Sequence, residues 1–138
     1  MTFEVDEKTW RIAAEHVRFR SRLMEFAKES NRIEGITNSE ANERMFEKLE
    51  TFSRIDELTI ENVCEFNEWG EIRDREGMDV WIDGRMAPPG GCMSGTLRAL
   101  LSLVNGKTAT LHTPYRCHIC FERYHPFMDG NGRTGRAI

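Results

Sequence analysis

The segment His125-Pro-Phe-Met-Asp-Gly-Asn-Gly-Arg-Thr-Gly-Arg136 constrains the fold of this chain more than any other stretch. Gly130 and Gly132 flank Asn131, so the backbone there can turn tightly and bring its N–H groups close to an anion. A helix beginning near residue 133 would add a favourable field for negative charge. The segment therefore predicts an anion-binding turn that leads into a helix.

The side chains of the same segment indicate what such a turn is used for. His125 is the residue most able to take a proton near neutral pH, and Asp129 offers the hard oxygen that Mg²⁺ prefers. Arg133 and Arg136 stand one helical turn apart, where both can clamp phosphate oxygens. We interpret the segment as a nucleotide-phosphate site. The alternative is a glycine-rich turn between two helices that carries an incidental histidine.

Residues 125–136 resemble the Fic motif, histidine-x-phenylalanine-x-acid-Gly-Asn-Gly-Arg-x-x-Arg, at every specified position. The resemblance implies a protein adenylyltransferase, which moves AMP from ATP to a Ser, Thr or Tyr hydroxyl of a target protein. It implies that His125 deprotonates the hydroxyl, that Asp129 holds Mg²⁺ on the phosphates, and that Phe127 points inward to anchor the loop. The nucleotide-binding positions that it implies are Gly130, Asn131, Gly132, Arg133 and Arg136.

A second resemblance involves residues 30–35, Ser-Asn-Arg-Ile-Glu-Gly, which match the inhibitory pattern Ser/Thr-x-x-x-Glu-Gly/Asn of many Fic proteins. It implies an inhibitory segment containing Ser30 and Glu34, in which Glu34 pairs with Arg136 and withholds it from the γ-phosphate. A carboxylate facing a guanidinium competes with an anionic ligand for the same donors. The alternative is a solvated glutamate at the end of a charged helix.

Residues 78–86 alternate around Asp83-Gly84, a strong signal for a tight β-hairpin. The segment resembles the flap of Fic proteins, which lays the target chain over the active site by strand pairing. An exposed two-stranded ribbon has unpaired backbone groups that suit such pairing. The alternative to a flap is a plain surface hairpin, and the alternative for Trp81 is a position in the core. The expected target-binding residues are Val80, Trp81 and Ile82.

Helical periodicity over most of the remaining chain predicts a mostly α-helical fold with one short β-hairpin. The first helix is expected over residues 7–29, with one apolar face that includes Trp10, Val17 and Ala27. Further helices are expected after Thr37, where the capping-box spacing marks a helix start, over residues 92–104, and ahead of the 125–136 segment. The remaining expected helix caps and stops are Asp6, Thr59, Gly70 and Thr113.

Four cysteines raise the alternative of a zinc or redox site, because Cys117 and Cys120 have C-x-x-C spacing. The same residues share a helical stripe with Phe121 and Tyr124, which predicts a core face where cysteine packs as a small apolar residue. No second pair stands at zinc-ribbon spacing. We therefore expect reduced, buried thiols.

Composition limits the remaining function classes. The 138 residues, 39% hydrophobic and 30% charged, suit one domain over 1–138. Within it, the resemblance implies an N-terminal helix with the inhibitory motif (1–36) and a partial Fic core (37–138). The net charge of −4 disfavours nucleic acid, and no apolar run approaches the roughly 18 residues of a membrane span. The acidic amino terminus lacks the basic region of a secretory signal, so we expect a cytoplasmic protein.

The chain ends two residues after Arg136, whereas the resemblance leads us to expect further helices behind the motif. Three interpretations stay open: the chain is a fragment, another chain supplies the missing helices, or the domain is degenerate. A homodimer is left open as its assembly. Relatives that act as kinases carry lysine at the position of Gly132, which favours AMP transfer here. The other functions left open are removal of AMP, with Glu34 positioning the water, and an inert binding module or toxin–antitoxin component.

Overall fold

The computed structural model describes residues 6–106, 110 and 112–138. Within them the predicted fold class is confirmed, since helices dominate and two short strands form a hairpin. The chain divides into two compact units, Met1–Thr51 and Phe52–Ile138, and we describe each by itself. The elements are α1 (Glu7–Ile33), α2 (Ser39–Ser53), α3 (Ile60–Phe66), β1 (Trp81–Ile82), β2 (Arg85–Met86), α4 (Met93–Val104), α5 (Thr113–Tyr124) and α6 (Asn131–Ala137).

The first unit is a pair of helices, α1 and α2, held together near the connection between them. Buried Asn31 donates its amide hydrogens to the carbonyl oxygen of Ala41 and to Oδ1 of Asn42, both at 3.1 Å. Arg20 pairs with Glu50 at 3.4 Å farther along the helices. Apolar packing supports these contacts through Ala27, Met45 and Leu49, which are buried.

Two expectations for this unit were wrong. Val17 is 66% exposed and does not share a buried face with Ala27, because the 15 residues of α2 are too few to cover the 27 of α1. The cap of α2 is Asn38 and not Thr37, since Oδ1 of Asn38 accepts the N–H of Ala41 at 2.8 Å. The side chain of Trp10 lies outside the described residues.

The end of α1 contains the predicted inhibitory segment. The N–H of Gly35 donates to the Arg32 carbonyl at 2.9 Å, and the N–H of Ile36 donates to the Asn31 carbonyl at 2.9 Å. Gly35 has φ of +76°, so the three features together form a Schellman motif. Helix α1 therefore reaches Ile33, four residues beyond the expected end, and Glu34 is its C-cap residue.

In the second unit, local capping chemistry explains where α3 starts and ends. Thr59 caps α3 as predicted, and the structure shows that it does so in a capping box with Asn62. Helix α3 nevertheless ends at Phe66, because Asn67 leaves helical geometry, so Gly70 is not its stop.

The start of α5 also differs from the expectation. The helix begins at Thr113 itself, with His112 as its N-cap residue. The hydroxyl oxygen of Thr113 instead accepts the N–H of Thr110 at 2.8 Å.

The core of the second unit lies between the helices. Cys117 and Phe121 are buried on α5 as the stripe predicted, Cys120 is half-buried, and Tyr124 is partly exposed. Phe127 is buried, with its ring centroid 6.4 Å from that of Phe121, which confirms its predicted inward position. Other buried apolar side chains are Val63, Phe66, Leu97, Leu100 and Leu101. No helix among the described residues has the length and apolar character that crossing a membrane requires.

The hairpin forms where Asp83-Gly84 predicted it. Trp81 pairs with Met86 and Ile82 pairs with Arg85 in an antiparallel register. Asp83 and Gly84 have φ of +48° and +79°, as a type I′ turn requires at both central positions.

Candidate active site

His125 ends α5 in the left-handed conformation, with φ of +47° and ψ of +65°. Its backbone N–H donates to the Phe121 carbonyl at 2.9 Å, and its Nδ1 lies 2.6 Å from the Glu122 carbonyl oxygen. A carbonyl oxygen only accepts, so Nδ1 carries a hydrogen, and in the neutral imidazole Nε2 then keeps its lone pair. The helix end thereby sets the tautomer that a general base at Nε2 needs.

The left-handed conformation of His125 has a local cause. A non-glycine residue in this region costs on the order of 1 kcal/mol. The side chain offsets that cost by capping its own helix, because the carbonyl of Glu122 would otherwise have no partner at the end of α5. One residue therefore terminates the helix and carries the candidate base.

Asp129 is an exposed carboxylate four residues after His125. Its Oδ1 accepts the N–H of Gly130 at 2.7 Å, and its carbonyl oxygen accepts Nδ2 of Asn67 at 2.9 Å. The second carboxylate oxygen is a hard ligand of the kind that Mg²⁺ takes together with substrate phosphates. The described residues contain no cluster of three or more His, Cys, Asp or Glu side chains, so a metal cage built from protein alone is absent from them. The donor set fits a Mg²⁺ ion that is shared with a nucleotide.

The glycine-rich turn is packed tightly against residues 67–70, which follow α3. Gly130 has φ of +74°, and a Cβ atom there would lie 2.6 Å from Cε3 of Trp69. Helix α6 starts at Asn131, two residues before the expected position, and its first internal bond runs from the N–H of Thr134 to the Gly130 carbonyl. The N–H groups of Asn131 and Gly132 precede that bond, so the helix itself offers them no acceptor.

The two arginines of the motif both lie on α6. Arg133 is buried, and its guanidinium carbon lies 3.6 Å from the centroid of the Trp69 ring, in a cation–π contact. Arg136 is half-buried in the last turn of the helix. The stacking gives Arg133 a structural task, and the phosphate contacts of both arginines stay predictions.

Residues 67–73 form a clamp segment that runs beside the glycine-rich turn (residues 125–132), and no sequence pattern predicted this arrangement. Two backbone bonds join the segments: the N–H of Met128 donates to Glu71, and the N–H of Arg73 donates to Pro126, both at 2.8 Å. Between these bonds, Ile72 and Phe127 form an antiparallel bridge. The glycine-rich turn is therefore fixed by strand-like pairing with the clamp segment and is not an isolated loop.

Two side chains of the clamp segment were missed as site residues. Asn67 bonds the Asp129 backbone across 62 positions of sequence. Arg73 is completely buried and donates to the carbonyl of His125 across 52 positions. Burial lowers the pKa of the Arg73 guanidinium, while nearby Asp79 opposes that effect. No local pattern marks either residue, because Arg73 lies in a charged run that resembles ordinary surface.

The hairpin borders a cavity of about 690 Å³, which one of the three predicted target-binding residues lines. Ile82 lines the cavity, Val80 is half-buried, and Trp81 is 63% exposed. The exposure of Trp81 excludes the alternative of a core tryptophan. Helix α5 supplies the opposite wall through Ile119, Glu122 and Arg123.

The inhibitory residues belong to the first unit. Ser30 is buried in α1, and Glu34 follows the last helical residue. Their pairing with the motif stays a prediction.

Comparisons with known proteins agree with this geometry. The model of the Fic/DOC family matches residues 46–138, which include all of residues 125–136. The chain is also similar to the protein adenylyltransferase Fic of Aedes aegypti, with 35% identity over 75 residues. Those residues are 51% of this chain and 14% of the relative, so the chain spans a small part of that protein. No solved structure matches. Because the family model matches more than half of the chain, and the matched part is helical and contains the glycine-rich turn, the chain belongs to the Fic/DOC family.

Proposed function

We propose that this chain is the core of a protein adenylyltransferase, which transfers AMP from Mg·ATP to a hydroxyl side chain of a target protein. The observation that carries the proposal is the bond of His125 Nδ1 to the Glu122 carbonyl, which leaves Nε2 as the proton acceptor. Asp129 stands four residues on as an exposed hard ligand. Family membership and the printed name of the mosquito relative support the same reaction class.

The proposed reaction is an in-line displacement at the α-phosphorus. Nε2 of His125 removes the proton of a Ser, Thr or Tyr hydroxyl as its oxygen bonds to the α-phosphorus. The bond from that phosphorus to the bridging oxygen breaks, and pyrophosphate leaves. When Mg²⁺ is bound, it neutralises phosphate charge and orients the phosphates. Asp129 would hold the ion, and the protein's main contribution is positioning.

The turn supplies donors for the negative charge. We assign the phosphate cradle to the backbone of residues 130–132, where a side chain at Gly130 would collide with Trp69. Arg133 and Arg136 add positive charge from the adjoining helix. Preorganised donors of this kind stabilise developing charge without reorganising during the reaction.

Target binding is assigned to the hairpin. Trp81 and Met86 are cross-strand partners, and both are exposed. An extended target segment can add to the hairpin edge through backbone bonds, while these apolar side chains contact its residues. The supply of ATP favours the cytoplasm as the compartment of the reaction.

Regulation is assigned to Glu34, which we propose pairs with Arg136 and excludes the γ-phosphate. The Schellman motif fixes the backbone on the C-terminal side of Glu34. A carboxylate carried on a fixed helix end competes with a phosphate at small entropic cost.

The test uses ATP labelled at either the α- or the γ-phosphate, incubated with the chain and Mg²⁺. We expect covalent self-labelling from the α-label alone, abolished by chelator and by His125→Ala. Label from the γ-position would mean phosphoryl transfer and would overturn the proposal. Release of AMP from a pre-labelled target would instead favour the reverse reaction. Binding of ATP with neither transfer nor release would favour a binding module.

A further inference from the structure

Arg73 combines complete burial with a full set of backbone partners. Its Nε donates to the His125 carbonyl at 2.6 Å, one terminal nitrogen donates to the Tyr124 carbonyl at 2.7 Å, and the other donates to the Met78 carbonyl at 3.0 Å. A buried guanidinium is costly unless its donors are paired. Here every nitrogen has an oxygen partner, and all three partners are backbone groups.

The charge of Arg73 is placed where α5 can balance it. Tyr124 is the last residue of α5, and His125 is its C-cap residue. The carbonyls at a helix C-terminus carry a partial negative charge and lack partners within the helix. Arg73 therefore caps the end of α5 that carries the catalytic histidine. A lysine cannot replace this contact, because a compact ammonium lacks the planar fork of donors.

His125 is held from both sides by these bonds. On the α5 side, the His125 N–H donates to the Phe121 carbonyl and Nδ1 bonds the Glu122 carbonyl. On the other side, the Arg73 side chain donates to the His125 carbonyl, and the Arg73 N–H donates to the Pro126 carbonyl. Rotation of the backbone at His125 would swing Nε2 away from an acceptor hydroxyl. A misplacement of about 1 Å at a reacting group can cost about 10²-fold in rate.

The same residue reaches both ends of the segment that contains the hairpin. Its side chain bonds Met78 before β1, and its carbonyl accepts the N–H of Gly91 after β2 at 2.9 Å. We propose that Arg73 is a positioning residue: it fixes the backbone of His125 so that Nε2 faces the acceptor hydroxyl, and it ties that orientation to the base of the hairpin. The proposal rests on the proposed function, since it assigns His125 as the base.

The test compares Arg73→Lys and Arg73→Ala with Arg75→Ala as the matched control. Arg75 lies two positions away, is exposed, and pairs only with Glu71 among the contacts described for its side chain. Three quantities are measured: ATP affinity, the AMP-transfer rate at saturating ATP, and the imidazole nitrogen NMR signals of His125. Folding is followed by circular dichroism.

We expect Arg73→Lys to fold and to bind ATP like the wild type, with a transfer rate lower by about 10²-fold. Its His125 signals should shift from the fixed Nδ1–H tautomer towards an exchange average, and Arg75→Ala should match the wild type throughout. Transfer and NMR signals that stay at wild-type values in Arg73→Lys would overturn the proposal. Loss of ATP binding in proportion to transfer, or failure of both variants to fold, would also overturn it, because either result makes Arg73 a general structural residue.

The NMR measurement separates this proposal from the proposed function. A wild-type chain that transfers no AMP would refute the adenylyltransferase assignment. The tautomer of His125 would still report whether Arg73 positions it.

Discussion

The side-chain amide of Asn131 bonds both backbone groups of Phe127. Nδ2 of Asn131 donates to the Phe127 carbonyl at 2.7 Å, and the Phe127 N–H donates to Oδ1 of Asn131 at 2.9 Å. Both residues are buried, so no water replaces these bonds. The pair closes the turn that carries Asp129 and Gly130. The side chain of Asn131 thus fixes the shape of the turn, and the predicted binding of nucleotide by this residue, through its backbone N–H, stays a prediction.

We expect Asn131→Ala to lower the free energy of unfolding by about 1–3 kcal/mol, because two buried backbone groups of Phe127 lose their partners. Urea denaturation measures the change. Met128→Ala is the control, since this side chain is exposed in the same turn and should cost at most about 0.5 kcal/mol. Equal losses in the two variants would show that the bonds to Phe127 contribute nothing specific.

Replacing His125 by alanine should lower AMP transfer by about 10²–10⁴-fold while leaving ATP affinity largely intact, because only the base is removed. A small loss of thermal stability should accompany it, since the imidazole also caps α5. His112→Ala is the control: that histidine is exposed and makes no side-chain cap bond. Labelling of His125→Ala at the wild-type rate would remove His125 from the mechanism.

Asp129→Ala should abolish the Mg²⁺ dependence of ATP binding, measured by calorimetry in Mg²⁺ and in chelator. Asp129→Asn separates charge from shape, because its amide oxygen can still accept the N–H of Gly130. We expect both variants to lose the metal dependence. A difference between Mg²⁺ and chelator as large as in the wild type would place the metal on other ligands.

Glu34→Gly and Glu34→Gln should both raise self-labelling, because the built-in carboxylate no longer competes for Arg136. A charge-assisted contact of about 1.5–3 kcal/mol corresponds to about one to two decades. The double variants with Arg136→Ala should show no gain. Glu25→Gln, an exposed acid on the same helix, is the control. Unchanged labelling in a chain that binds ATP would make residues 30–35 an ordinary helix end.

The cysteines should differ in their reaction with iodoacetamide at pH 8. Burial raises the pKa of the Cys117 thiol and of the Cys64 thiol, so both hold less reactive thiolate, whereas Cys92 is exposed. Peptide mass spectrometry should find Cys92 labelled first and Cys117 last. In denaturant the four rates should converge, and preferential labelling of Cys117 in the folded chain would contradict its buried position.

The same shifts predict a loss of stability in alkaline solution. The unfolded thiols release protons above about pH 8.5, while the folded chain retains them on Cys117 and Cys64. The unfolded state therefore binds fewer protons, and the free energy of unfolding should fall as pH rises through that range.

The sequence was informative wherever the cause of a structure is local. The Asp83-Gly84 pair specified the hairpin turn because both positions need positive φ, and Thr59 specified the start of α3 as its cap. The positions of His125 and Asp129 in one turn followed from their spacing. The cap of α2 was placed wrongly at Thr37 because neighbouring Asn38 competes for the same helix end. At α5 the prediction failed for another reason: the N-cap residue His112 makes no side-chain cap bond that a sequence pattern could mark.

Partners that meet across a long stretch of sequence were beyond prediction. Asn67 and Arg73 act on backbone atoms more than fifty positions away, and a backbone partner leaves no trace in residue type. A single charged run offers no means of telling one buried arginine from its exposed neighbours. The chemical groups of the site were therefore predictable from the sequence, whereas the residues that support them were not.

Gly70 has a consequence for how the site can be altered. A Cβ atom at this position would lie 2.3 Å from the backbone nitrogen of Asp129, so backbone meets backbone there. Any side chain at Gly70 would therefore have to push residues 67–73 and the glycine-rich turn apart, and Asp129 would move with the turn. The position of the proposed Mg²⁺ ligand can thus be changed from a residue that has no reactive side chain of its own.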